Sequence, residues 1–264
     1  MNLNTLTDSL RREWAFLHQV DVDASTVSMR SEVFQRNFFE SNSPLPVYVK
    51  VYTYRKHPFH RFLRRGRSRI ETRNLLFFKS IGISVPRVIG WGQRRTWWGK
   101  LSEEFIITER IIGAEPLDVF VKTACPDRSR PLYAERRDAI IDQLSRWTRE
   151  MHAHHFFHND LYLRNILARI QNDQVALFWI DCPIGGFRHL HSGRHSRLRL
   201  KDCATLDKLA RHLCTREERK RFVAGYLGRA KNDPKVVAFC KAGTVISPRR
   251  FDSRHTSKPL KDYP

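Results

Sequence analysis

The chain has 264 residues, 41% of them hydrophobic, enough to bury a core in one large domain or two modest lobes and too apolar for bulk disorder. Lys and Arg number 48 against 27 Asp and Glu, a net charge of +21 that asks for a polyanionic partner: nucleic acid, an anionic membrane or a phosphorylated substrate. Five dispersed cysteines without a CxxC pair argue for reduced thiols in a cytosol. The N-terminus lacks the apolar run of a signal peptide, and no apolar run approaches the ~20 residues of a membrane span, so a soluble or at most peripheral protein is expected.

In chain order, residues 5–18 read as a short amphipathic helix with Leu6, Leu10, Ala15 and Leu17 among charges. "LPVYVKVYTY" (45–54) alternates and is rich in Val and Tyr, so it is a strand. The basic run 55–69 carries seven Arg or Lys and no acid. "IETRNLLFFKS" (70–80) reads as a helix stopped near Gly82. "ISVPRVIGWG" (83–92) turns into a strand, "EEFIITERI" (103–111) is another, and the chain leaves it through Gly113 and Pro116. Residues 133–154 form a long helix with Ile140, Ile141, Leu144, Trp147 and Met151 on one stripe. "NILARI" and "QVALFWI" make a hairpin around "QND", and residues 203–214 and 216–229 are helical. The strand-rich part joins the helix-rich part near 110–115. The expected division is 1–112, 113–245 and a basic, disordered tail at 246–264.

The stretch that carries chemistry is "HNDLYLRNIL" (158–167). Asp160 and Asn165 have the spacing of the catalytic loop H-R-D-L-x-x-x-N, and Leu161, Leu163, Ile166 and Leu167 look like anchors beneath it. Other groups follow the same order along the chain. Lys50 lies mid-strand, and Glu71 lies on a helix whose inward face it shares with Leu75 and Phe78. "FIITERI" resembles the strand that leads to a hinge. Asp181 ends a strand sixteen residues after Asn165, where the metal aspartate of D-F-G belongs. Phosphoryl transfer needs charge neutralisation and alignment more than covalent help. A lysine braced by a glutamate can hold phosphates. A carboxylate and a carboxamide oxygen suit Mg²⁺, and a separate aspartate can take the acceptor's proton.

On "RSRIETRNLLFFKSIGISVPRVIGWG", "FIITERI", "MHAHHFFHNDLYLRNILA", "FWIDCPIGGFR" and "RLRLKDCATLDKL", the chain resembles the lipopolysaccharide core heptose/Kdo kinases over roughly residues 45–230. The resemblance implies an α+β, two-lobed protein-kinase-like fold with a small β-rich N-lobe and a larger helical C-lobe. It implies an ATP-dependent, Mg²⁺-using sugar kinase at the cytoplasmic face of the inner membrane, acting on the core glycolipid. In the roles it implies, Lys50 binds phosphate and Glu71 pairs with it, while Glu109 and Ile111 at the hinge also contact nucleotide. Asp160 is the base, and Asn165 and Asp181 hold the metal. Arg164 either supplies positive charge near the transferred group or only tethers the loop. Asp202 either buttresses the backbone of the catalytic loop or caps a helix.

The pattern also departs from a protein kinase. No glycine precedes Gly66, so "FQRNFFESNSPLP" must cover the phosphates without a Gly-rich loop. D-F-G has become Asp181-Cys182-Pro183 and the Arg of H-R-D is Asn159, which argues against switching by a phosphorylated loop. Tyr162 stands where many protein kinases carry a lysine. His152, His154, His155 and His158 lack zinc-site spacing and read as surface or loop residues. Trp91, Trp97 and Trp98 read as core or hairpin residues, with a membrane-interface role as the lesser alternative. The basic stretch 187–201 follows the metal aspartate and is the candidate for holding a phosphorylated glycolipid; anionic lipid is a further partner for such faces. The competing readings are an atypical protein kinase, bound to RNA or not, and a pseudokinase. Nucleic acid is disfavoured because aromatic-and-basic interleaving is absent, and retention of the five polar residues disfavours a pseudokinase.

Overall fold

The computed structural model describes residues 30–40, 43–54, 66–97, 99–188 and 192–251. The expected helix at 5–18, most of the basic run 55–69, Trp98 and the end of the basic tail lie outside the described residues. The chain divides into two compact units, Met1–Thr72 with Arg87–Arg110 and Arg73–Pro86 with Ile111–Pro264. This differs from a single cut at 112, because residues 73–86 group with the second unit.

The first unit is built on an antiparallel sheet of strands β1 (Arg30–Glu40), β2 (Ser43–Thr53), β3 (Val88–Arg95) and β4 (Leu101–Glu109), in the order β1-β2-β4-β3. Sequence alternation sorts β2 by face. Val47 and Val49 pack with Ile107 on one side, backed by Leu45, Val51, Ile89 and Phe105. Lys50 and Tyr52 point to the other side and oppose Ile106 and Glu104 of β4. Strand β1 was not expected: its register sets Glu40 opposite Ser43 and Val33 opposite Lys50, within the stretch read as a phosphate cover. Ser31, Val33 and Gln35 on one face and Arg36 on the other are all exposed, so this edge strand shows no clean apolar alternation.

Helix α1 (Arg67–Ser80) starts three residues earlier than its apolar pattern suggests. The reason lies on β4. Glu104, fully buried, accepts from the backbone N–H groups of Arg67 (2.6 Å) and Ser68 (2.9 Å) and from Ser68 Oγ (2.7 Å). The helix has no acid of its own in the first turn, so Glu104 supplies the anion that its orphan donors and dipole require. Tyr54 also donates its hydroxyl to Glu104, and burial followed by that carboxylate pushes the phenol pKa far up. Gly66 is needed here, because a Cβ would lie 2.1 Å from Glu104 Oε2 and from Gln93 Nε2. At the other end Gly82, in the left-handed region (φ 77°), ends the helix as the sequence suggests, and Ile83 N–H donates to the Phe78 carbonyl (2.9 Å).

In the second unit the short strand β5 (Glu115–Pro116) leads into α2 (Leu117–Ala124) and then α3 (Pro131–Ala153). The predicted stripe of α3 (Ile140, Ile141, Leu144, Trp147, Met151) is buried throughout. Strand β6 (Phe156–Phe157) precedes the loop at 158–165. Strands β7 (Ile166–Gln171) and β8 (Gln174–Trp179) form the expected hairpin, turning on Asn172 and Asp173, both left-handed. β9 (Gly186–Phe187) pairs with β6. The basic stretch 187–201 is mostly the first half of helix α4 (Ser192–Leu213). α5 (Arg216–Leu227) opens with a capping box between Thr215 and Glu218. α6 (Pro234–Phe251) runs past the point at which a disordered tail is expected. Among the described residues no helix is long and apolar enough to cross a membrane.

Candidate active site

In the first unit, Lys50 Nζ lies 3.4 Å from the Glu71 carboxylate. Glu71 also accepts the Tyr52 hydroxyl at 2.6 Å. Alternation on β2 puts Lys50 and Tyr52 on one face, and the helical register of α1 aims Glu71 at them. The carboxylate is thus fixed from two sides, and the ammonium lies 5.2 Å from the Tyr52 ring centre. Glu109, at the end of β4, holds Arg87 by an ion pair of 3.0 Å, and its N–H donates to the Arg87 carbonyl (2.8 Å). Its carboxylate is therefore engaged by Arg87. In the second unit, half-buried Ile111 accepts from Ala114 N–H at 3.2 Å.

The second unit holds the loop. Leu161 and Leu163 are buried and pin it from below. Asp202 resolves its two readings in favour of the buttress. It lies deep inside α4 rather than at its start, and its carboxylate accepts from the backbone N–H groups of His158 and Asn159, both at 2.8 Å. His152 Nε2 is 3.3 Å from the same carboxylate, and His152 Nδ1 is 2.9 Å from the Tyr226 hydroxyl. With Asp202 accepting, Nε2 carries the proton and Nδ1 accepts from Tyr226. Of the surface-or-loop readings, His158 is a loop residue but a buried one, and His152 is corrected: it is buried on α3. The His158 ring stacks on Phe78 (5.9 Å) and meets Trp179 edge-on. Burial pushes its pKa below the usual value, against the pull of the Asp202, Asp160 and Asp181 charges, so it is a neutral spacer.

Asn159 adopts a left-handed backbone (φ 65°), and its side-chain oxygen accepts from Lys201 Nζ (3.0 Å). The Asp160 carbonyl then accepts from Tyr162 N–H (2.9 Å) and from Asn165 Nδ2 (2.9 Å). That second bond commits the amide nitrogen of Asn165 to the loop. Asn165 also accepts from Ile180 N–H through its own carbonyl (3.0 Å), which brings the hairpin's end alongside the loop. Asp181 follows at once in the left-handed region (φ 59°), as a half-buried residue. Asp160, Asn165 and Asp181 are therefore gathered in one place. Burial first, and the Asp181 charge as well, push the Asp160 carboxyl above its usual range; Arg164 and Asn165 pull it back. Arg164 is exposed, with its guanidinium 4.5 Å from the Tyr162 ring centre, and Lys208 Nζ approaches the same ring at 5.9 Å. Cations therefore surround the position that lacks the usual lysine.

Two contributors escaped sequence reasoning. Asn74, buried on α1, donates to the carbonyls of Cys182 (2.8 Å) and Gly185 (3.0 Å) and so fixes the segment after Asp181. Its spacing of three from Glu71 is the only sequence signal for it. Glu104, described above, is the other. A cavity of about 450 Å³ lies among the helices of the second unit, lined mainly by aliphatic residues such as Leu117, Ile140, Leu144 and Val223. It holds none of the site residues.

Comparison with known proteins adds to this geometry. The family described as lipopolysaccharide kinase (Kdo/WaaP) matches residues 50–226, a span that contains Lys50, Glu71, Asp160, Asn165 and Asp181. No curated protein matches the chain. A solved structure described as WaaP in complex with acyl carrier protein superposes with a TM-score of 0.56 at 21% identity, over 82% of this chain and 89% of that one. That likeness supports a protein-kinase-like α+β fold. On the strength of the matched span, the chain belongs to the lipopolysaccharide kinase (Kdo/WaaP) family and is a phosphotransferase.

Proposed function

We propose that the protein transfers the γ-phosphoryl group of ATP to a hydroxyl of a heptose or Kdo sugar in the lipopolysaccharide inner core, at the cytoplasmic face of the inner membrane. The acceptor oxygen bonds to phosphorus as the bond to ADP breaks, and its proton passes to Asp160. A carboxyl held above its usual range by burial is better matched to that task than a solvated one. Lys50 binds nucleotide phosphate, and Glu71 and Tyr52 hold its ammonium in position. The Asn165 oxygen and the Asp181 carboxylate are hard donors suited to Mg²⁺, which neutralises phosphate charge when bound. Glu109 and Ile111 are assigned to the nucleotide as backbone positions, since the Glu109 carboxylate is held by Arg87. Arg164, Lys201 and Lys208 lie around the loop and suit an anionic acceptor.

The observation that carries the reading is the arrangement of the loop: Asn165 is bonded to Asp160 by its side chain and to the residue before Asp181 by its backbone. The test is phosphate transfer from ATP to core oligosaccharides that each lack one known phosphate. Transfer to one of them supports the proposal. Incorporation into protein or RNA but not sugar refutes it. Because the superposed WaaP structure is described as a complex with acyl carrier protein, the assay is run with and without such a carrier.

A further inference from the structure

The β3–β4 hairpin ends in a turn that displays an indole. Thr96 N–H donates to the Lys100 carbonyl (2.8 Å), and Gly99 N–H donates to the Thr96 carbonyl (2.8 Å), with Gly99 left-handed at φ 79°. Arg95 clamps the turn from outside by donating to the Gly99 carbonyl (2.9 Å), and Ser102 Oγ donates to the Arg94 carbonyl (3.0 Å). Trp97 stands at the second position of this braced turn and is 82% exposed. Trp91, on the same hairpin, is 42% exposed. Large indoles left in water on a fixed turn mark a binding surface. Arg94, Arg95 and Lys100 flank Trp97 in the sequence. Arg94 pairs with Glu103 at 3.5 Å, while among the described residues Arg95 and Lys100 form no ion pair with an acid of the hairpin, and Glu103 and Glu104 are both buried.

We propose that this hairpin tip, at Arg95, Trp97 and Lys100, docks on an anionic lipid bilayer, with Trp97 entering the headgroup boundary and the flanking cations meeting lipid phosphates. Tryptophan favours that boundary because its ring is apolar and its N–H stays hydrated, and lysine and arginine next to it are attracted by the surface potential. A braced turn presents Trp97 at little ordering cost. An acidic protein would share the charge preference, so it enters as the rival outcome. The inference rests on the membrane-proximal acceptor proposed above, and it can fail separately.

The experiment is co-sedimentation of the full chain with vesicles of phosphatidylglycerol and phosphatidylethanolamine, against phosphatidylcholine alone. In parallel, transfer to a water-soluble core oligosaccharide is measured. The wild type should bind the anionic vesicles and release from them in high salt. Trp97→Ser should weaken partitioning roughly tenfold, the factor for one large apolar side chain left in water, with unchanged melting and unchanged transfer to the soluble acceptor. Lys100→Glu should weaken binding to anionic vesicles only. Equal binding by Trp97→Ser, or no binding by the wild type, overturns the inference and leaves the kinase reading standing. Trp97-dependent capture of an acyl carrier protein without vesicle binding also overturns it, and assigns the tip to a protein. Vesicle binding with no transfer to any acceptor would sink the kinase reading alone.

Discussion

Asp160 occupies an environment that raises the proton affinity of its carboxyl, burial first and the Asp181 charge in addition. The folded state therefore binds that proton more tightly than the unfolded chain. Its ionised form costs stability once pH exceeds the ordinary aspartate range, and the cost levels off above the raised folded value. Asp160→Asn removes this cost while keeping the shape. The variant should melt higher than wild type at neutral pH, by roughly 2–4 °C for each kcal/mol relieved. The gap should close as pH falls below the ordinary aspartate range, where the wild-type carboxyl is neutral in both states. Thermal melts at several pH values check this, and a lower melting point for Asp160→Asn at neutral pH would contradict it. The neighbouring His158 is neutral for the same reason, burial. It holds space between Phe78 and Trp179 while Asp202 holds the backbone.

At the scale of elements, α1 carries the most structural information. Its first turn is capped from β4 by Glu104, and its later turns, through Asn74, fix the segment after Asp181. A D-F-G segment that switches must be free to leave; here two buried carbonyls are tied to one amide. Asn74→Ala should remove both bonds and destabilise the protein by about 1–3 kcal/mol in denaturant unfolding. A change below about 0.5 kcal/mol, the scale of an ordinary surface substitution, would show that the segment is not held this way. The face of α1 bearing Glu71, Leu75 and Phe78 is legible in the sequence because helical period and apolar character coincide there. Its cap is not legible. Glu104 lies in "SEEFIITE", where an acid on an alternating strand reads as solvated, and nothing local reveals that a helix start will cover it. Strand β1 escaped for a related reason: it is an edge strand, and its alternation is carried by neighbours rather than by its own side chains.

For the whole molecule, the order of motifs along the chain is what the sequence displays best. Lys50 and Glu71 are recognisable because a strand or helix period fixes which way they face, and Asp160, Asn165 and Asp181 because their spacing matches a loop motif. Less visible were the groups that act through others. Asp202 was undecided between cap and buttress until α4 proved to begin at Ser192. His152 read as one of a surface cluster, because a helix stripe does not reveal which polar residue is turned inward. The division of the chain was equally hidden, since α1 is continuous in sequence yet its residues group with different units. The charge of +21 is visible from composition alone, but its use depends on placement: some cations flank the catalytic loop and others the Trp97 turn.

The central claim is that Asp160 is the base of a Mg-ATP-dependent phosphotransferase. The most direct measurement compares turnover and ATP affinity of Asp160→Ala with wild type, on whichever core oligosaccharide the wild type phosphorylates. The account predicts a loss of turnover of at least roughly 100-fold, with ATP affinity within about twofold of wild type. Ordinary turnover by Asp160→Ala would contradict it.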